Sequence, residues 1–130
     1  MPKAMPMPKA CDIAFCSLCA RAVLARVVRV RALMAPAARG GDVEAVHDLR
    51  VATRRLRAAM ALFEPCLPAR ARRWRKEIRR ITRALGQARD LDVQIQALQS
   101  AMTKHPAWAA GLAGLRKSLT GRRLTVQRKV

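Results

Sequence analysis

Ile13, Cys16, Ala20, Val23, Val27, Val30 and Met34 recur at three- and four-residue spacing. That period predicts an amphipathic helix from about Asp12 to Ala38, its apolar seam turned to another helix. Arg39-Gly40-Gly41-Asp42 closes it. Gly40 suits the left-handed position after a helix, and Asp42 suits an N-cap with Glu44 in the first turn. A second helix follows to about Phe63, with Leu49, Leu56, Met60 and Phe63 on one side and Ala45, Ala52 and Ala59 beside them. Glu64-Pro65-Cys66-Leu67-Pro68 ends it, since neither proline extends a helix although Pro68 can begin one. The third helix, about Ala69 to Leu85, gathers Trp74, Ile78, Ile81 and Leu85 on one side. Gly86 then breaks the pattern, and Asp90 caps a fourth helix through Leu91, Ile95 and Leu98 to about Lys104. After the loop residues His105-Pro106, a last helix begins near Ala107 with Leu112, Leu115 and Leu119 on one face. Gly121 interrupts it. These elements predict an all-α, up-down antiparallel bundle of four to five helices over residues 12–120. A disordered tail over residues 1–11 and a basic, disordered tail over 121–130 flank it.

The polar positions are as ordered as the apolar ones. On the second helix His47, Arg50, Arg54 and Arg57 fall within about 80° of arc, opposite the apolar side. On the third, Arg72, Lys76, Arg79 and Arg83 share one side, widened by Arg73, Arg75 and Arg80. A rail of like charges repels itself, and a fold seeking only stability would intersperse carboxylates. Two helices joined by a short turn pack antiparallel, so both rails are expected to converge on one groove. Periodicity fixes each face but not the relative rotation of the helices.

Composition sharpens the reading. The 130 residues suffice for one domain with a modest core. Lys and Arg number 27 against 8 Asp and Glu, a formal charge of +19, and no acidic residue follows Asp92. Self-repulsion on that scale calls for an anionic partner. Arginines outnumber lysines 21 to 6, and guanidinium is the better bidentate partner for phosphate. The apolar run after Ala10 is bracketed by Asp12 and Arg21 and is too short to span a bilayer. A cytoplasmic protein with no membrane partner is expected.

Other chemistry fares less well. Cys11, Cys16 and Cys19 have the Cys-x4-Cys-x2-Cys spacing of plant-type iron–sulfur sites, with Cys66 as a distant fourth ligand. The intervening residues continue a helical seam, so Cys16 reads as a small buried hydrophobe; neither a cluster nor a disulfide is expected. Asp90 and Asp92, two apart at a helix start, point away from each other and suit capping and ion pairing better than metal binding. His47 has one neighbouring carboxylate, Asp48, about 100° away around the helix, and no Cys or second His at ligand spacing. No metal, cofactor or catalytic residue is expected.

Val46-His47-Asp48-Leu49-Arg50-Val51-Ala52-Thr53-Arg54-Arg55-Leu56-Arg57, followed by Leu85-Gly86-Gln87-Ala88-Arg89-Asp90-Leu91-Asp92-Val93, closely resembles the CHAD family, the conserved-histidine α-helical domain. The likeness runs from about Leu18 to Lys104. It implies an all-helical fold of two pseudo-symmetric bundles around a basic cavity, of which this chain supplies the first half. It also implies binding of inorganic polyphosphate and targeting to polyphosphate granules. At the matching positions the basic pocket would use His47, Arg50, Arg54, Arg55 and Arg57, with further charge from Arg72, Lys76, Arg79 and Arg83 of the third helix and from Arg89. Two such chains repel at +19 each, so dimerisation is expected only when a long polyanion reaches both rails.

The expected function is therefore binding of polyphosphate, or another polyanion, without catalysis. A nucleic-acid-binding protein is the alternative, since the same charge attracts any phosphate backbone. Against it stand the lack of Tyr, the few aromatics and the absence of a groove-reading motif. A phosphate-processing enzyme would need metal-holding carboxylates or an activated nucleophile beside the rail, and only Asp48, Glu77, Asp90 and Asp92 lie near. A fragment with no function of its own is the remaining reading.

Overall fold

The computed structural model describes residues 10–130, which form four α-helices and, among the described residues, no strand. They are α1 (Ala10–Arg39), α2 (Val43–Leu62), α3 (Ala71–Lys104) and α4 (Ala109–Gln127). Short 3₁₀ turns, Glu64–Cys66 and Pro106–Trp108, join α2 to α3 and α3 to α4. Each helix packs on the next, which makes the all-α bundle that the periodicity predicts. The expected tail over residues 1–11 falls, for residues 1–9, outside the described residues; Ala10 and Cys11 already belong to α1.

The first turn follows its residue types. Gly40 takes φ 74°, the left-handed conformation that favours glycine. A Cβ there would also meet Gln127 Cδ at 3.1 Å. Asp42 caps α2, its Oδ1 accepting from the amides of Glu44 (2.9 Å) and Ala45 (3.3 Å). Two clusters form the core. Ala37, Ala45, Val46, Leu49, Leu85 and Ala88 pack where α1, α2 and α3 meet, with Val126 and Val130 laid against them. Val23, Leu56, Ala59, Met60 and Ala71 fill the other, near the α2–α3 turn. Val30 touches both.

Four expectations need correction. First, the third and fourth helices are one. α3 runs unbroken through Gly86 for 34 residues, about 51 Å at 1.5 Å per residue. A lone glycine costs a helix only about 1 kcal/mol, which packing on both sides outweighs. Asp90 is therefore mid-helix and exposed, not a cap. Second, Gly121 does not end α4, which reaches Gln127; the expected basic tail is largely helix and contributes Val126 and Val130 to the core. Third, Cys16 is bonded to Cys66, their Cα atoms 5.0 Å apart, where a simple buried thiol was expected. Spacing along α1 carries no information about a partner 50 residues away. Among the described residues Cys19, one turn on, is a buried free thiol. Fourth, the ends of the α1 seam are wet: Ile13 and Met34 are exposed, while Ala37 is fully buried. Trp74 is also half out of the core, with the Arg70 guanidinium 5.5 Å from its ring centre.

The C-terminal part of α4 is stitched to the rest by polar bonds. Asp92, buried on α3, accepts from Arg123 Nε at 2.7 Å. Arg123 Nη1 donates to Gln127 Oε1 at 2.7 Å. Gln127 Nε2 in turn donates to the carbonyls of Ala37 (3.0 Å) and Ala38 (3.2 Å), satisfying the open end of α1. No described helix is long and apolar enough to cross a membrane.

A candidate polyanion-binding groove

Burying Val46, Leu49, Thr53 and Leu56 fixes the rotation of α2. That leaves Arg54 and Arg55 exposed and His47, Arg50 and Arg57 half-buried along its flank. Burial of Ala71, Thr82, Leu85 and Ala88 likewise turns Arg72, Lys76, Arg79 and Arg83 of α3 to solvent. Between the two helices lies an open groove of about 490 Å³. Arg54, Arg57, Ala58 and Ala61 of α2 line one wall, and Arg72, Arg75, Lys76 and Arg79 of α3 line the other. Glu64, from the turn between the helices, closes one end and is the groove's sole carboxylate. It lies 3.3 Å from Arg75 Nη1 and 3.5 Å from Arg72 Nε. Six cations against one anion give the groove a strongly positive potential.

Five of the sequence-predicted residues thus meet in one place: Arg54, Arg57, Arg72, Lys76 and Arg79. The others do not line this groove. Arg50 reaches towards α3 at Gly86, its Nε 3.8 Å from where a Cβ would stand, an ordinary contact distance. His47 and Arg89 are half-buried, and His47 Nδ1 and Arg89 Nη1 are buried with no hydrogen-bond partner in the protein. Arg55 turns to the opposite flank of α2, into a cleft against α1. Arg83 lines a separate recess of about 640 Å³ with Glu77, Arg80, Arg128 and Lys129. Periodicity understates Arg75, which it places only at the margin of the cationic side, and does not point to Glu64. A lone carboxylate just before the helix-ending Pro65 gives no periodic signal. The described residues contain no group of three or more His, Cys, Asp or Glu placed to hold a metal ion.

No curated protein and no solved structure matches the chain significantly. The family model described as CHAD domain matches residues 20–130. The match takes in the groove and also α4, beyond the region on which the sequence motifs rest. The chain belongs to the CHAD domain family.

Proposed function

We propose that this chain is a non-catalytic module that binds inorganic polyphosphate in the α2–α3 groove. The observation that carries the reading is the lining of that groove, Arg54, Arg57, Arg72, Arg75, Lys76 and Arg79 against Glu64 alone. Guanidiniums one helical turn apart stand about 5.4 Å from one another along each wall. A flexible chain with charge on each phosphate can adjust to that spacing and accept bidentate hydrogen bonds at successive units. Family membership supports the same ligand, as CHAD domains occur in polyphosphate-related proteins. Arg89 stands farther along α3, outside the groove, and adds to the positive field around it. The module would act in the cytoplasm at polyphosphate granules. Long polyphosphate would draw two chains together by neutralising their charge.

The test is a titration with polyphosphates of defined length, beside duplex DNA and heparin, at two salt concentrations. Polyphosphate should win at equal phosphate concentration, and long chains should raise the mass seen by light scattering. The double variant Arg54→Glu with Lys76→Glu, both exposed, should keep its helix content by circular dichroism and lose polyphosphate binding. Unchanged affinity in the folded variant would remove the groove as the site, and preference for DNA would favour the nucleic-acid reading.

A further inference from the structure

Arg54 and Arg55 are neighbours in sequence, yet they line different recesses. Arg54 belongs to the α2–α3 groove, whereas Arg55 faces α1. There it lines, with Arg26 and Arg29 of α1, a cleft of about 280 Å³ shared with Ala25, Val51, Ala52 and Asp48. Among the described residues, no carboxylate comes within ion-pairing distance of these three guanidiniums, Asp48 included. Arg26 directs one N–H to the carbonyl of Ala22 at 2.9 Å. A fold seeking only stability would not bring three guanidiniums from two helices together with their charge unsatisfied.

We propose that the α1–α2 cleft is a second anion site, and that a single polyphosphate chain fills both recesses by crossing the crest of α2 at Arg54 and Arg55. The inference rests on the groove reading above and adds a site to it. Adjacent residues on a helix are about 100° apart, and a helix with its side chains is about 10–12 Å across. A flexible chain of phosphates turns over such a ridge, whereas duplex DNA, with a persistence length near 150 base pairs, does not. Joining two sites through one ligand makes the second binding step intramolecular, so affinity rises with chain length once the ligand spans both. Asp48 repels an incoming phosphate and lowers the cleft's net charge. The groove therefore fills first, and the cleft recruits only chains already held there.

Binding of tripolyphosphate and of a long polyphosphate is measured at one salt concentration for four proteins. These are the wild type, the cleft variant (Arg26→Gln, Arg29→Gln, Arg55→Gln), a charge-matched control (Arg31→Gln, Arg116→Gln, Lys117→Gln) and Asp48→Asn. The control residues are exposed and line neither recess. The cleft variant should bind the long chain about tenfold more weakly than the control does, through lost avidity. Both variants should hold tripolyphosphate within about twofold of each other, since the groove is intact. Asp48→Asn should tighten the long chain more than tripolyphosphate. A cleft variant that matches the control on the long chain, while the wild type binds it, would overturn the second site and leave the groove standing. A wild type that binds neither ligand would remove both.

Discussion

Leu56 shows most directly how the two faces of α2 depend on each other. It is 2% exposed, one residue from Arg55 and Arg57, and it packs among Val23, Ala59, Met60 and Ala71. Leu56→Ala is expected to cost about 2–5 kcal/mol in denaturant titration, the range for other buried leucines. A loss under about 0.5 kcal/mol, a surface value, would mean that the helix is rotated differently. Glu64 is the counterpart on the cationic side. Its carboxylate lies against Arg72 and Arg75 and competes with any incoming anion for them. Glu64→Gln should therefore tighten polyphosphate binding severalfold and steepen its dependence on salt, with the fold unchanged because the carboxylate is well exposed. Weaker binding would mean that Glu64 serves to hold the two arginines in place.

At the scale of the element, α3 is where local reading and structure part. Gly86 suggests a break only while Arg83 and Leu85 are viewed apart from Ala88 and Leu91. The buried positions Thr82, Leu85, Ala88 and Leu91 keep helical period straight through it. Gly86→Ala tests this. A Cβ there meets only Arg50 Nε, at an ordinary contact distance of 3.8 Å, so the change should stabilise the protein by up to about 1 kcal/mol through helix propensity. Destabilisation would indicate that Arg50 needs the space. By contrast, Gly40 and Asp42 were legible, because a cap is written in residues next to one another. The Cys16–Cys66 bond was not, because it joins α1 to the α2–α3 turn across 50 residues. In a reducing compartment the pair stands as two thiols, and that turn is then held by Phe15 on Phe63 and by the core beneath it.

For the molecule as a whole, charge sets the behaviour. Without a polyanion the +19 chain works against its own compactness. Thermal stability is expected to rise with salt and to rise further with polyphosphate. The gain should approach about 2.7 kcal/mol at a free ligand concentration a hundred times Kd. Calorimetry at matched ionic strength separates the two effects, and no shift beyond that of salt would count against specific binding. The candidate site was legible in proportion to its regularity. The rails on α2 and α3 could be drawn from spacing alone, and five of their eight members share the groove. The rest depends on helix rotation and on chain connectivity. Arg55 joins Arg26 and Arg29 only because α1 packs on the far flank of α2. Neither the relative rotation of helices nor contact between distant segments has a periodic signature.

The bond from Gln127 to the carbonyls of Ala37 and Ala38 also bears on how the chain folds. Nearly all the packing joins helices that follow one another, so α1–α2, α2–α3 and α3–α4 hairpins can each form from local contacts. Gln127 closes a loop of 90 residues, and its entropic cost is recovered only after those hairpins exist. It should therefore form after the rate-limiting step. Gln127→Ala is expected to leave the refolding rate nearly unchanged and to speed unfolding about fivefold, if the lost bonds are worth about 1 kcal/mol. A chevron plot in denaturant measures both arms. Slower refolding would place the α1–α4 contact in the nucleus and make the bundle close from its ends inward.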